Sequence, residues 1–516
     1  MTNQIPNYSD FCSAAELGNV VALSVTIPFD VETVISLADR FIDEPNFFLF
    51  ESATAGPGGI ARYSFLGLEA LWSFKVNDDV VETVFEGHTE RTDLKGRNPI
   101  KVLENYQAQF KLSVANQDKQ TVDGIDLCGM GGSIGHISYE CSAAMEPSIG
   151  AHPPGKLGMA PLVFFMPQSF IVHDLLSRKM TIIRYAYIEN QNDQSCVKRA
   201  YDQHVAALSE LMTKVLANHH VPALKLSSMP VSPDDFSASF SKSEFLGVVD
   251  ECMEAICSGE LFQVQVGNRL TTDCAARPFD VYRHLRILNP SPYMVFYKLD
   301  GHHIICASPE MMVNVDGERV LHRPIAGTRK RHWDKEKDLK AKKELQEDEK
   351  ERAEHIMLVD LSRNDIGRIA APGSVELDEL MIVEEYSHVF HLVSQVSGFL
   401  KSGATAFDAM ISSFPNGTVS GAPKVRAMQL INQLEKHARE FYAGSVGIFD
   451  FNGGLNSTIL IRTIYMKGGV ASTQASAGIV YDSVPDHEWK ETQHKMAACL
   501  FAIKNTQSVN DDHIGG

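Results

Sequence analysis

The residues best suited to chemistry cluster near the C-terminal end of the chain. Glu488, Glu491 and Lys495 follow one another at steps of three and four, so a helix would place all three on one face. Arg462 stands in an apolar run that is predicted to be a strand. Because a buried arginine is rare without an anionic partner, this combination predicts a pocket for a small, multiply anionic ligand and a divalent cation.

A second pair of glutamates has the same spacing. Glu351 and Glu354 are three residues apart in KERAEHIMLVDLSRND, a predicted helix. Two such pairs on two helices suit Mg²⁺, which takes a few carboxylates and completes its coordination with water or substrate oxygens. A salt-bridged helix surface is the alternative, and spacing alone favours it. The neighbouring apolar residues Ala353, Ile356 and Met357 indicate a partly buried helix and weigh against that alternative.

Composition indicates an ordinary globular protein and excludes some classes of function. The 516 residues are 44% hydrophobic and 22% charged, enough for more than one domain with a sizeable core. A net charge of −18 argues against a general nucleic-acid or anionic-membrane surface. Nine cysteines without a CxxC pair are typical of reduced thiols in a cytoplasmic protein. We expect no signal peptide and no membrane span, because the longest apolar stretch, 162–172, is short and interrupted by polar residues.

Hydrophobic periodicity predicts the elements that would position these residues. The elements predicted in the first half are strands at 61–76 and 178–188 and a helix at 201–219. The Ser-, Pro- and Asp-rich stretch 226–241 is predicted to be the main linker, and Ser241 begins a capping box for the next helix. We therefore predict an N-terminal region at 1–238 and a catalytic domain at 239–510.

Two glycine-rich turns frame the arginine. Residues 452–454 and 467–469 are predicted hairpin turns. The segment between them alternates as a strand does, which would place Arg462 on the face of Leu460 and Ile464.

Eight segments occur in the order seen in chorismate-utilising enzymes. They are GELFQVQVGNR, NPSPYMV, ASPEMMV, RPIAGTR, ERAEHIMLVDLSRNDIGR, YSHVFHLVS, FPNGTVSGAPKVRAM and QASAGIVYDS with the following ExxETxxK. Within this family the sequence closely resembles the large subunits of anthranilate synthase, densely over 241–503 and more thinly through FFLFES and ARYSFLG in the first half. The resemblance implies an α/β fold of the α+β type, the chorismate-binding fold, in which stacked antiparallel sheets are flanked by helices.

The resemblance also implies a role for each residue of the predicted pocket. The implied Mg²⁺ ligands are Glu354 and Glu491, supported by Glu351 and Glu488. The implied chorismate-binding residues are Tyr442, Arg462, Lys495, Thr418, Ala477, Gly478 and Gly327. The implied catalytic residues are Glu310, His391, Thr328 and Gln263. Of these, Glu310 would protonate the departing ring hydroxyl, and His391 would remove a proton in the elimination.

Three positions distinguish this chain from its relatives. The family usually has Gly-Ala-Gly where this chain has Ser476-Ala477-Gly478; backbone N–H groups are expected to make the contact there, and serine keeps them, although it could crowd the pocket. Aminodeoxychorismate synthases have a nucleophilic lysine where Ala326 stands. Isochorismate and salicylate synthases have a lysine where Gln263 stands. With both lysines absent, the expected nucleophile is free ammonia.

The implied function is amination of chorismate by ammonia and elimination of pyruvate to give anthranilate, the first committed step of tryptophan biosynthesis. The chain has no G-x-C-x-G turn typical of glutaminases, so a separate glutamine amidotransferase subunit would supply ammonia in a hetero-oligomer. Three alternatives remain: an enzyme that stops at aminodeoxyisochorismate, an aminodeoxychorismate synthase, and a non-catalytic tryptophan-binding regulator.

The first half is predicted to contain a tryptophan sensor. In the family, L-tryptophan binds between an LLES-like element and NPSPYM, which correspond here to 49–52 and 289–294. The implied tryptophan-binding residues are Glu51, Ser52, Pro292, Tyr293 and Met294. The alternative is that both segments are edges of core strands.

Overall fold

The computed structural model describes residues 5–53, 62–115, 121–122, 125–126, 131–225, 230–386 and 389–511. Part of the predicted linker, 226–229, lies outside the described residues. The described cysteines are all free thiols. None of the helices in the described ranges is both long enough and apolar enough to cross a membrane.

The described elements mix strands and helices along the whole chain. The strands are β1 (Val20–Pro28), β2 (Phe47–Glu51), β3 (Tyr63–Asn77), β4 (Val80–Phe85), β5 (His88–Asp93), β6 (Leu112–Val114), β7 (Thr121–Val122), β8 (Ile125–Asp126), β9 (Gly132–Ile137), β10 (Leu162–Asp174), β11 (Lys179–Tyr187), β12 (Ser237–Ala238), β13 (Gln263–Asp273), β14 (Tyr293–Leu299), β15 (His302–Ser308), β16 (Met311–Asp316), β17 (Arg319–His322), β18 (Ile325–Lys330), β19 (Glu376–Glu385), β20 (Val389–Phe399), β21 (Gly421–Ala422), β22 (Ser445–Asp450), β23 (Leu455–Ile459), β24 (Thr463–Lys467) and β25 (Val470–Ile479). The helices are α1 (Tyr8–Ala15), α2 (Val34–Asp39), α3 (Pro99–Gln107), α4 (Ser142–Met145), α5 (Gln194–Leu216), α6 (Lys242–Cys257), α7 (Pro278–Leu288), α8 (Lys335–Glu347), α9 (Glu349–Gly367), α10 (Ala406–Ser413), α11 (Gly417–Ser420), α12 (Lys424–Leu434) and α13 (Pro485–Asp511).

The strands form one large, predominantly antiparallel network with helices packed against it, apart from β7 and β8, which pair with each other. Strand pairing crosses the predicted domain boundary at residue 238, because β2 pairs with β14 and β9 pairs with β22. Two extensive apolar cores are buried against this network. The predicted α/β fold with antiparallel sheets and flanking helices is confirmed, whereas the division into 1–238 and 239–510 stays a prediction.

Most elements predicted in the first half are present with shifted ends. The predicted strands correspond to β3 and β11, and the predicted helix to α5. Helix α5 begins earlier than its apolar pattern indicated, because the Asp193 side chain caps it by accepting a hydrogen bond from Ser195 N. At the start of α6 the capping box is formed as predicted, since Ser241 N donates to Glu244 Oε2 at 2.8 Å and Glu244 N donates to Ser241 Oγ.

The predicted continuous strand around Arg462 is wrong. Both glycine turns form hairpins, β22–β23 and β24–β25, but the segment between them is two strands separated by residues 460–462. Strand β23 pairs with β16, whereas β24 pairs with β15, so the chain changes neighbours at this point. Arg462 adopts φ 52°, a left-handed conformation that a side chain other than glycine rarely takes. Such an outlier at the edge of a cavity is typical of a functional position.

Candidate active site

Strands and helices of the C-terminal half enclose a cavity of about 760 Å³. Helices α9 and α13 contribute acidic side chains, strands β13 and β25 form one wall, and β18 and β20 form another. The predicted residues that line it are Gln263, Glu310, Gly327, Thr328, Glu351, Glu354, His391, Thr418, Tyr442, Arg462, Gly478, Glu488, Glu491 and Lys495. Residues far apart in the sequence therefore meet in one place.

The two glutamate pairs approach each other from two helices. Helix α9 is started by Asp348, whose carboxylate accepts a hydrogen bond from Glu351 N at 3.0 Å. Burial, together with the nearby charges of Glu351 and Glu491, raises the pKa of Glu354 to about 7. Burial also raises the pKa of Glu488. Glu488 is buried, Glu351 and Glu354 are part-buried and Glu491 is exposed, so the group lies at the edge of the protein interior. The mutual repulsion of these carboxylates is what a divalent cation would relieve.

The fit to a metal ion is partial. Among the described residues, no three His, Cys, Asp or Glu side chains converge closely enough to hold an ion by themselves. Two of the carboxylates are also ion-paired, Glu491 with Lys495 at 2.6 Å and Glu351 with Arg329 at 2.9 Å. The donor set therefore suits Mg²⁺, which keeps several water or substrate oxygens in its coordination shell.

Among the described residues that line the cavity, Arg462 is a cation without an ion-pair partner. Its guanidinium makes no hydrogen bond or ion pair with any described residue, although it lines the same cavity as Glu491 and Lys495. Burial lowers its pKa from the usual value, which is the direction expected for a cation without a close anionic partner. An anionic ligand would supply that partner.

Glu310 is a buried acid without a partner for one oxygen. Its backbone carbonyl is fixed between two strands by Thr458 Oγ1 at 2.6 Å and by Ile459 N at 3.1 Å. The Oε1 atom is buried and has no hydrogen bond to a described residue. Burial raises the pKa of this carboxyl to about 8, against the opposing effects of Thr418 and Lys495. Glu310 therefore carries its proton at neutral pH and can act as a proton donor.

The hydrogen bonds of His391 fix the tautomer in which Nε2 is free to act as a base. Strand pairing places it opposite Thr328. Its Nδ1 lies 3.0 Å from the carbonyl oxygen of Gly327 and 3.2 Å from Thr328 Oγ1. Because a carbonyl can only accept, Nδ1 carries the proton and Nε2 keeps its lone pair. Burial lowers the pKa of His391, so the ring is neutral and ready to accept a proton.

The two predicted binding residues Ala477 and Gly478 differ in their surroundings: Ala477 is paired with the neighbouring strand, whereas Gly478 lines the cavity. Gly267 N donates to Glu435 and the carbonyl of Gln265 accepts from Arg439, so both groups point away from β25. The hydrogen-bonded pair of this ladder is thus Val266 with Ala477, whose side chain is buried in the core. Of this pair, Gly478 therefore points its N–H toward the open side of the strand, the side on which the Ser476 carbonyl accepts a hydrogen bond from Lys495 Nζ.

Sequence reasoning missed several residues of the cavity wall. Gln265 lies two positions from Gln263 on β13, so strand periodicity alone would have placed both side chains on one face. The side chain of Ser476 also lines the cavity, although only its backbone was expected to act. Lys350 and His494 complete the acidic end of the cavity, and no motif singled them out.

The predicted tryptophan-binding residues come together elsewhere, on strands β2 and β14. Met294 stands opposite Glu51 in this antiparallel pair. Glu51 is buried and accepts hydrogen bonds from Arg286 Nε at 2.6 Å and from the Tyr282 hydroxyl. Just beyond the strands, Ala53 N donates to Ser291 O, which brings the segment of Ser52 against that of Pro292 and Tyr293.

Comparison with known proteins places this geometry in a family. The family model described as chorismate binding enzyme matches residues 69–501. Anthranilate synthase component 1 of Pseudomonas putida is 35% identical, over 96% of this chain and 98% of its own length. The protein of the same name from Acetivibrio thermocellus is 37% identical, over 95% of this chain and 97% of its own length.

Solved structures agree with the sequences. The crystal structure of anthranilate synthase component I from Streptococcus pneumoniae TIGR4 matches with a TM-score of 0.71 and 33% identity, over 87% of this chain and 95% of that chain. The menaquinone-specific isochorismate synthase from Escherichia coli has a TM-score of 0.69 at 16% identity, a likeness of fold alone. The resemblance to large subunits of anthranilate synthase is thereby confirmed, and the chain belongs to the chorismate binding enzyme family.

Proposed function

We propose that the protein converts chorismate to anthranilate, with free ammonia as the nitrogen donor and Mg²⁺ as cofactor. The observation that carries this proposal is the lack of an uncommitted amine among the described residues that line the cavity. Among its described lining residues the lysines are Lys350 and Lys495, and each is ion-paired, Lys350 with Asp482 at 3.1 Å and Lys495 with Glu491 at 2.6 Å. An amine that is already paired is a poor nucleophile, so the nitrogen must enter from outside.

The side chains at the two diagnostic positions support the same conclusion. Gln263 lines the cavity but has no basic group that could activate water. Ala326 lines it as well and offers no group for covalent catalysis. Water-dependent isomerisation and covalent amination are therefore disfavoured relative to attack by ammonia.

In the first half-reaction ammonia adds to ring carbon C2 of chorismate while the C4 hydroxyl leaves. The leaving oxygen needs a proton, and Glu310 supplies it from a carboxyl whose pKa is raised to about 8 by burial. The two carboxylates of chorismate would be held by Arg462 and Lys495 together with the hydroxyl of Thr418. These contacts orient the ring so that the acid lies beside the departing group.

In the second half-reaction the aminated intermediate loses its enolpyruvyl group as pyruvate, and the ring becomes aromatic. A base must remove the proton at C2. We assign that role to Nε2 of His391, because Nδ1 is fixed as a donor to Gly327 O at 3.0 Å. Thr328 Oγ1, 3.2 Å from Nδ1, steadies the ring.

The acidic end of the cavity would bind the cofactor. Glu354 and Glu491 would hold Mg²⁺, with Glu351 and Glu488 in support. When bound, the ion would offset the negative charge of a chorismate carboxylate. The charge repulsion that raises the pKa of Glu354 supports this assignment.

A separate subunit would complete the enzyme. We propose that a glutamine amidotransferase delivers ammonia to the cavity in a hetero-oligomer located in the cytoplasm. The name component 1 that the relatives bear supports a partner subunit.

The test is direct. The purified chain is mixed with chorismate, Mg²⁺ and ammonium, and anthranilate is followed by its fluorescence. Fluorescence without any partner subunit is the expected result. Accumulation of aminodeoxyisochorismate instead would indicate an enzyme that stops before the elimination, and no consumption of chorismate would indicate a non-catalytic regulator.

We further propose feedback inhibition by L-tryptophan through Glu51, Ser52, Pro292, Tyr293 and Met294. Support comes from the pairing of β2 with β14, which brings the two halves of the implied sensor together. Ser52 is half-buried, and a large ring at this position would take space that the proposed ligand needs. We expect a Ser52→Phe variant to keep its turnover rate and to require at least about tenfold more tryptophan for half-inhibition. A variant as sensitive as the wild type would contradict this assignment.

A further inference from the structure

A short chain of hydrogen bonds crosses one wall of the cavity. Tyr442 Oη lies 2.5 Å from Ser476 Oγ, and Ser476 Oγ lies 3.0 Å from Gln265 Oε1. All three residues are buried and line the cavity. The backbone of Ser476 is fixed as well, because its carbonyl accepts a hydrogen bond from Lys495 Nζ at 2.9 Å.

The donor and the acceptor in each of these two hydrogen bonds follow from Gln265, the last residue of the chain of hydrogen bonds. An amide oxygen can only accept, so the hydroxyl of Ser476 donates its single proton to Gln265. The hydrogen bond between the two hydroxyls must then be donated by Tyr442. The only donor of the Tyr442 side chain is thus committed to Ser476, and its oxygen offers a ligand nothing but lone pairs.

The other end of the chain presents a donor. The Nε2 atom of Gln265 has no hydrogen bond to any described residue. It lies on the side of Gly478, where a β-carbon would come within 2.8 Å of it, so glycine leaves this space open. Because Gly478 also lines the cavity, the amide N–H groups of Gln265 are available to a ligand there.

We infer that Ser476 determines which side chain donates a hydrogen bond to a carboxylate of the substrate. Because Ser476 accepts the proton of Tyr442 and orients the amide of Gln265, the donor is Gln265 rather than Tyr442. Gln265 is thereby a specificity-determining residue. This inference rests on the proposed function, because chorismate supplies the carboxylate. In the observed direction the Gln265 amide offers two N–H donors and the Tyr442 oxygen only lone pairs. In the opposite direction a ligand would meet the single phenol donor of Tyr442 and an amide oxygen. A ligand with two negative charges therefore favours the observed direction, which presents more donors.

The inference predicts that the importance of the Tyr442 hydroxyl depends on residue 476. The test is to determine chorismate affinity by titration calorimetry in the absence of ammonium, so that binding is measured independently of turnover. In the wild-type background, Tyr442→Phe should weaken binding by less than about twofold. In the Ser476→Ala background the phenol proton is released to the ligand, and Tyr442→Phe should weaken binding about tenfold or more, the usual effect of losing a hydrogen bond to a charged group. Gln265→Leu should weaken binding about tenfold in the wild-type background.

A serine on the same strand provides a matched control. Ser472 is buried in β25, and its hydroxyl is 3.0 Å from that of Thr271, outside the cavity lining. Ser472→Ala also removes a hydroxyl–hydroxyl contact, and in this background the Tyr442→Phe penalty should stay below about twofold. Thermal unfolding of every variant checks that it is folded, and Ser476→Gly replaces Ser476→Ala if the alanine variant is not.

Two results would overturn the inference. If Tyr442→Phe has the same effect with serine and with alanine at position 476, whether large or small, Ser476 does not control the donor. If Gln265→Leu leaves the affinity unchanged, the amide is not the donor. In either case a wild-type protein that still makes anthranilate preserves the proposed function, whereas a wild-type protein that does not bind chorismate refutes both.

Discussion

Two regions of the molecule contain a buried glutamate, and the two glutamates differ in how far their carboxyl groups are hydrogen-bonded. On β2, Glu51 accepts hydrogen bonds from Arg286 at 2.6 and 2.9 Å and from the hydroxyl of Tyr282. In the cavity, Glu310 has an oxygen without a partner, and Arg462 makes no hydrogen bond with a described side chain. A folded protein normally satisfies its buried polar groups. The unsatisfied groups therefore mark the place where a ligand completes the structure, and the satisfied ones mark a scaffold.

This difference has consequences for the sensor as well. The carboxylate of Glu51 is already fully engaged with Arg286 and Tyr282, so it has little left to offer an incoming ligand. Tryptophan would have to add to this cluster or displace part of it. Ser52 and the segment of Pro292 and Tyr293, which flank the cluster, are better placed to recognise the ligand directly.

The largest expected effect comes from the unpaired acid of the cavity. Glu310→Gln keeps the shape of the side chain and removes its proton-donating ability. We expect the turnover number with ammonium to fall about 10³-fold, within the usual range for a general acid, while the affinity for chorismate changes little. Steady-state kinetics of anthranilate formation measures the first quantity, and calorimetry the second. A fall of less than tenfold would show that another group protonates the leaving hydroxyl.

The same residue sets a pH dependence. Burial raises the pKa of Glu310 to about 8, so the acid is protonated below that pH and loses its proton above it. Turnover, measured at constant free ammonia, should fall about tenfold for each pH unit above 8, as expected for one essential protonated group. A turnover number that is constant up to pH 10 would exclude Glu310 as the acid.

The next effect concerns the crowded carboxylates. Glu354→Gln removes one of the charges that a cation would neutralise. We expect the Mg²⁺ concentration for half-maximal activity to rise about 10²-fold, because changing a group that only supports a metal ligand already weakens metal binding by about 10- to 100-fold. Chelation of divalent ions should abolish the activity of the wild type. Titration of activity with Mg²⁺ measures both.

Glu349 provides the matched control for this prediction. It lies in the first turn of the same helix, α9, but is exposed to solvent. Glu349→Gln should leave the Mg²⁺ dependence within about twofold of the wild type, since an exposed charge at this distance is screened. Equal effects of both substitutions would indicate a general electrostatic contribution rather than a metal site.

Local patterns were sufficient to predict the acidic end of the cavity. The spacing of Glu351 with Glu354, and of Glu488, Glu491 and Lys495, is a helical spacing, and α9 and α13 are helices. Such spacings depend on neighbouring residues only. The fold itself was predictable because eight ordered segments resemble a known family.

The sequence could not predict the geometry around the arginine. The alternating pattern runs through residues 457–466 without a break, yet the chain leaves one neighbour, β16, and joins another, β15, at residues 460–462. Arg462 has its left-handed conformation at the end of this three-residue segment. The contact of Tyr442 with Ser476 likewise joins residues 34 positions apart, which no local pattern reports.

The smallest expected effect tests the scaffold side of the comparison. Tyr282→Phe removes only the hydroxyl that donates to the buried carboxylate of Glu51, and we expect the free energy of unfolding to fall by about 1.5 kcal/mol with unchanged turnover. Glu310→Gln should behave in the opposite way at pH 8, with lost turnover and no loss of stability. The native carboxyl of Glu310 holds its proton more tightly than the unfolded one, so its contribution is complete below the unfolded pKa and is lost as pH rises toward 8. Urea unfolding of both variants measures the contrast, and a Glu310→Gln protein less stable than Tyr282→Phe would show that the unpaired acid supports the fold after all.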